Sequence, residues 1–176
     1  MTAATNEIDW PAQIFEKFKQ LDIRQVGYVP DAGHTQLIKA CHADKDIKSV
    51  SLTGEQEGIG LCAGAWLGGQ RSALLMQSSG VGNCINLLGL AQECRFPLLM
   101  IVTMRGEWGE FNGWQLPMGQ STGRAFENAG VVVQHVDEKS RIAETIYAAG
   151  MMTFSTGRPI AVLIGQRVVG FKDWSK

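Results

Sequence analysis

The stretch Leu52-Thr53-Gly54-Glu55-Gln56-Glu57-Gly58-Ile59-Gly60, followed by Cys62-Ala63-Gly64-Ala65, joins two different hydrophobic patterns. Before it, Ile47 to Leu52 reads as a strand. After it, the Ala, Gly and Leu content up to Gly68 reads as a closely packed, buried helix. Glu55 therefore stands at the carboxyl end of a strand, the rim at which open α/β sheets bind ligands. Two readings fit that position. Acidic residues in a first helical turn offset the positive end of the macrodipole, which accounts for Glu57 and would serve for Glu55 too. The alternative is a carboxylate placed for a ligand.

Outward from this junction the same alternation recurs. Short apolar runs are read at Val26 to Val29, Ile47 to Leu52, Ala73 to Met76, Leu98 to Thr103, Val131 to Val136 and Ile160 to Ile164. Helical segments are read between them at about Thr35 to Ala43, Glu55 to Leu67, Gly82 to Cys94 and Lys139 to Thr153. A further helix starts at Asp9 and Pro11, with Ile14, Phe15, Phe18 and Leu21 on one face. Strands apolar on both faces and separated by helices imply a parallel sheet covered on two sides. The expected fold is a doubly wound α/β domain, about six parallel strands with helices on both faces, spanning residues 1–176 as one unit. Arg105 to Thr122 is read as the one long irregular stretch; its Trp108 and Trp114 suggest docking against something.

The composition narrows the function. Hydrophobic residues make up 45% of the 176 residues and charged residues 19%, as in a folded globular protein. A formal net charge of -1 argues against nucleic acid or an acidic membrane surface as partner. The cysteines Cys41, Cys62, Cys84 and Cys94 have no two-residue spacing of the kind found in zinc or redox dithiol sites. They fit a reducing cytoplasm. Met1 to Trp10 has no basic region followed by an apolar core, so no signal peptide is read there. No apolar run approaches the ~18 residues of a membrane span.

Two further turns accompany Glu55. Ser78-Ser79-Gly80-Val81-Gly82-Asn83 follows a strand and precedes a helix, so backbone can approach a ligand there. It is neither a dinucleotide fingerprint, since Ile85 stands at the third glycine position, nor a P-loop. Val29-Pro30-Asp31-Ala32-Gly33-His34 follows the first strand. Three successive strand ends thus carry polar or glycine-rich turns, and on a parallel sheet they are expected to converge. His34 is open between an acid, a base, a substrate ligand and a helix cap. No metal-ligand spacing and no serine-hydrolase elbow is present.

The order of these segments resembles the pyrimidine-binding domain of thiamine diphosphate-dependent decarboxylases. The resemblance rests on the Pro30-Asp31 turn, Glu55 with Gly64, Met76 to Asn83, Arg105-Gly106-Glu107, and Gln115, Pro117, Met118 and Gly119. It is closest to the sulfopyruvate and phosphonopyruvate branch. It implies the thiamine diphosphate-binding fold and thiamine diphosphate as cofactor, with Glu55 hydrogen-bonding the pyrimidine nitrogen opposite the exocyclic amine and promoting its proton transfers. It also implies Pro30, Ser79 and Asn83 beside the cofactor, and Asp31, His34 and Gln77 towards the substrate. Arg105 or Gln115 would bind an anionic group, with a surface ion pair to Glu107 as the other reading of Arg105.

The family's second domain carries a Gly-Asp-Gly segment ending in two asparagines, which holds Mg2+ and the diphosphate. No such segment is found in this sequence. The resemblance therefore implies a beta subunit that binds Mg2+ and the diphosphate, and a hetero-oligomer with two or more copies of each chain. The substrate would be a small anionic 2-oxo acid. The one-domain length points to a two-subunit sulfopyruvate decarboxylase; phosphonopyruvate or another acidic 2-oxo acid is the second reading. A noncatalytic α/β binding or regulatory module, with Glu55 only starting a helix, is the third.

Overall fold

The computed structural model describes residues 8–171; residues 1–7, part of the segment read for a leader, lie outside it. The chain opens with α1 (Trp10–Gln20), started by Asp9, whose carboxylate accepts a hydrogen bond from the Ala12 amide at 3.1 Å. Then follow β1 (Ile23–Tyr28), α2 (Thr35–Ala43), β2 (Lys48–Ser51), α3 (Glu55–Leu67), β3 (Arg71–Gln77), α4 (Val81–Cys94) and β4 (Leu98–Thr103). The last third holds α5 (Leu116–Asn128), β5 (Val132–Val136), α6 (Ile142–Thr156), β6 (Pro159–Ile164) and the single turn α7 (Gln166–Val169). All strand pairs are parallel, in the order β2-β1-β3-β4-β6-β5.

Alternation along the central strands sends side chains to two separate cores. Leu75, Leu99, Ile101 and Val162 face α1, α2 and α6, where Phe18, Leu37 and Ile146 are fully buried. Leu74, Met76, Met100 and Leu163 face α3, α4 and α5, packing against Ile59, Leu88 and Phe126. The doubly wound sheet expected from the sequence is the one observed. Strands β3, β4 and β6 are buried almost throughout, whereas β2 and β5 lie at the sheet edges and are largely half-buried or exposed.

Two sequence expectations need correction. The stretch 105–122 is not irregular to its end: a 3-10 turn at Gly113–Gln115 leads into α5 at Leu116, with Pro117 in its first turn. Glycines at 119 and 123 hid this helix, because glycine lowers helix propensity. Gly119 is required by contact, since a Cβ there would stand 2.0 Å from the Arg105 carbonyl oxygen. Likewise β1 begins at Ile23 and β3 at Arg71, before the apolar runs that marked them, because ladder pairing joins Ile23 to Arg71 and Gln25 to Ser72 across an irregularity at Arg24.

The strand order reverses twice. From β1 the chain moves outward to β2 and returns across to β3, leaving a crevice where the β1 and β3 connections diverge. A second reversal separates β4 from β6. Both openings lie at the carboxyl end of the sheet, and both receive residues of the candidate site.

Candidate active site

Glu55 opens α3 at the carboxyl end of β2, with its side chain turned inward and only 8% exposed. Asn83, in the first turn of α4, donates its amide to Oε2 of Glu55 at 2.9 Å. Oε1 accepts no hydrogen bond among the described residues. Gly80 lies against the same carboxylate, for a Cβ there would stand 2.1 Å from Cδ of Glu55. The glycine cluster before α4 thus makes room for an acidic side chain. Glu57, by contrast, folds back on the helix start: its carboxylate accepts from the Thr53 hydroxyl at 2.6 Å and the Thr53 amide at 3.0 Å.

Asp31 joins the turns after β1, β3 and β4. Its two oxygens accept from Gln77 Nε2 at 2.9 Å and from Thr103 Oγ1 at 2.5 Å. Gln77 in turn accepts from Ser79 Oγ at 2.8 Å, and the buried Ser78 hydroxyl accepts from the Arg105 amide at 3.0 Å. A row of polar groups therefore runs from Thr103 through Asp31 and Gln77 to Ser79, the chain neighbour of the Gly80 that lies against Glu55. Pro30 is exposed on the turn that leads into this row.

His34 is placed elsewhere. It is fully buried beneath the turn, its Nε2 lies 3.2 Å from the Ile101 carbonyl, and burial pushes its imidazole below the usual value. A neutral ring bonded to a central strand holds the turn and does not face the opening. Gln115 also stands apart from the row: it ends the 3-10 turn before α5, and its Oε1 is buried without a partner among the described residues.

Arg105 does not pair with Glu107. It makes a two-pronged pair with Glu110, Nε to Oε2 and Nη2 to Oε1, both at 2.6 Å. Glu110 also accepts from the amides of Gly106 and Asn112 and from Nε2 of Gln166. The guanidinium and the other donors hold its carboxyl down at about 2. Gln166, only 1% exposed, accepts from the amides of Glu107 and Trp108 through Oε1. Glu107 meets His135 on β5 instead, at 3.2 Å, and that contact raises the imidazole pKa. Trp108 docks edge-on to Phe171, with Arg167 over its ring, while Trp114 is 85% exposed. Thr103, Glu110 and Gln166 were not singled out from sequence. Glu110 had a weak signal, as an acid five residues after an arginine in a glycine-rich loop; Gln166 had none.

The matched family model decides what these turns belong to: residues 10–120 match the model described as "Thiamine pyrophosphate enzyme, N-terminal TPP binding domain". The chain belongs to this thiamine pyrophosphate enzyme family. Thiamine pyrophosphate is thiamine diphosphate, and the Glu55, Gly80 and Asn83 cluster lies within the matched segment. Among relatives in this family, the sulfopyruvate decarboxylase subunit alpha of Methanococcus maripaludis is 36% identical over 137 residues, 77% of this chain and 82% of that protein. The subunit of the same name from Methanothermobacter thermautotrophicus is 31% identical over 159 residues, covering 90% and 96%. The phosphonopyruvate decarboxylase of Streptomyces viridochromogenes is 31% identical over 152 residues, 85% of this chain but 38% of that protein. In fold, the chain matches a 2-oxoglutarate:ferredoxin oxidoreductase from Magnetococcus marinus with a TM-score of 0.75 at 17% identity, over 92% of this chain and 29% of that one.

Proposed function

We propose that the chain is the pyrimidine-side subunit of a two-subunit thiamine diphosphate-dependent decarboxylase, converting sulfopyruvate to sulfoacetaldehyde and CO2. The observation that carries this reading is Glu55: a buried carboxyl at the crevice, with Oε2 tied to Asn83 and Oε1 left to a ligand. That arrangement fits a pyrimidine ring nitrogen, which needs one oriented carboxyl oxygen and little water around it. The chemistry that thiamine diphosphate supplies when bound is a nucleophilic carbon and an electron sink for the departing CO2.

The chain's own residues prepare that chemistry. Glu55 holds and exchanges a proton at Oε1, while Asn83 fixes the rotation of the carboxyl group. Gly80 lets the backbone before α4 come close, and Pro30 and Ser79 flank the same space. Asp31, Gln77 and Thr103 form the polar wall on the substrate side. The remaining N–H groups of Arg105 are available to the acid group of the substrate, and Gln115 lines the approach along the loop. His34 supports the turn from below.

A partner subunit would hold Mg2+ and the diphosphate. In support, relatives are named "subunit alpha", and the match to this chain covers 82% and 96% of their length. No helix of the described residues is long and apolar enough to cross a membrane.

The test is reconstitution. The chain and a candidate beta subunit are combined with thiamine diphosphate and Mg2+, and aldehyde release is followed from sulfopyruvate and from phosphonopyruvate. Sulfopyruvate turnover that drops about 100-fold or more in Glu55→Gln is expected. Near-normal turnover in that variant would remove Glu55 from the mechanism. Release from phosphonopyruvate alone would change the substrate, and release from neither would favour a noncatalytic module.

A further inference from the structure

Beside the Glu55 crevice, a cavity of about 200 Å³ opens between the turn after β1 and the segment after α7. It is lined by Asp31, Gly33, Thr103, Arg105, Gly170 and Phe171, among others. Its polar wall continues through Gln77 to Ser79, next along the chain to the Gly80 that lies against Glu55. Arg105 is the one cationic side chain of that lining. Its charge is already answered: two of its nitrogens bind Glu110, whose side chain is 2% exposed and held by five donor contacts. Asp31 takes its hydrogen bonds from an amide and a hydroxyl, and the only cation it feels from the lining is the same Arg105 that Glu110 already binds. Arg105, Glu110 and Asp31 together leave one uncancelled negative charge at the cavity.

From this chain's lining an entering acid group finds hydrogen-bond donors, but no surplus positive charge. A sulfonate carries one negative charge throughout the working pH range. A phosphonate gains a second charge at an ionisation above the roughly 6 of a phosphate monoester, because carbon withdraws less charge than an ester oxygen, and carries most of that charge at pH 8. At roughly 6 Å and an effective dielectric constant of about 40, one further like charge costs about a factor of ten in affinity. Resting on the decarboxylase reading above, we infer that Asp31 and the Arg105–Glu110 pair form the specificity device of this site, admitting a singly charged sulfonate and disfavouring a doubly charged phosphonate.

The experiment uses the complete enzyme, with its partner subunit, thiamine diphosphate and Mg2+. At pH 8, kcat/KM is measured for sulfopyruvate and for phosphonopyruvate in the wild type, Asp31→Asn and Glu110→Gln. Asp31→Asn keeps the shape and the acceptor oxygen towards Gln77, and its NH2 can donate to the Thr103 hydroxyl once that rotor turns, while the charge is removed; Glu110→Gln removes a charge from the opposite side. Each variant is expected to raise the phosphonopyruvate-to-sulfopyruvate ratio about tenfold, whatever happens to the absolute rate. A loosened structure lowers both rates together and leaves the ratio where it was. For a variant too slow to assay, the ratio of calorimetric Kd values for 3-sulfopropanoate and 3-phosphonopropanoate serves in its place. Sulfopyruvate turnover with an unmoved ratio in both variants overturns this inference alone. A wild-type enzyme inert towards both acids overturns the decarboxylase reading, and this inference with it.

Discussion

Space around Glu55 is set by a neighbour with no side chain. Gly80 has φ −79°, a conformation open to any residue, so its role is not one of backbone freedom. What matters is that a Cβ would enter the volume of the Glu55 carboxyl group. Gly80→Ala is therefore expected to push the carboxylate out of position, weakening thiamine diphosphate binding in the assembled enzyme at least tenfold while the far-UV circular dichroism stays unchanged. Titration calorimetry with the cofactor checks this, and wild-type affinity in the variant would mean that Glu55 has slack. At this scale the sequence was partly legible. Glu55, Gly80 and Asn83 lie within about thirty residues, on two turns whose flanking strands were recognisable. Gln166 was not legible, because its significance lies in contacts with Glu107, Trp108 and Glu110 more than fifty residues away.

Between elements, two contacts control how the site is held. Gly58 brings α3 against β3 so closely that a Cβ would stand 2.2 Å from a Leu74 methyl. Gly58→Val overpacks that contact at a cost of about 1–3 kcal/mol, and a fall in Tm of roughly 2–12 °C is expected by calorimetry. The loop between β4 and α5 is held through charge. Glu110 is depressed from its ordinary 4.5 to about 2, so its stabilisation is present above 4.5 and is lost as pH falls towards about 2. His135 is raised above its ordinary 6.5 by Glu107, so that contact is fully formed below 6.5 and is lost as pH rises through the folded value. Protection of the Gly106 and Asn112 amides in hydrogen exchange, corrected for intrinsic rates, should accordingly fall on acidification. The Glu107–His135 tether should loosen on the alkaline side, read by the His135 ring resonances. The helix after this loop escaped sequence reading because Gly119 and Gly123 are poor helix formers, and packing on Arg105 and around Phe126 outweighs that weakness.

Across the whole molecule, the strand order brings the turns after β1, β2, β3 and β4 to one end of the sheet, and the proposed function makes them one side of a cofactor site completed by a partner. Mg2+ with thiamine diphosphate is expected to leave the Tm of the isolated chain unchanged and to raise that of the complex with its partner, in line with linkage. A cofactor-dependent rise in the isolated chain would contradict the divided site. By itself the sequence determined the fold class, the strands at the sheet centre, the helix start at Glu55 and the family, because hydrophobic period and turn chemistry are local properties. Only the tertiary structure decided that Glu55 and Asn83 share a hydrogen bond, that His34 is enclosed, and that Arg105 belongs to Glu110. Those outcomes depend on the strand order β2-β1-β3-β4-β6-β5, which brings distant turns to one end of the sheet, where the distance between side chains, not their spacing along the chain, sets the interaction.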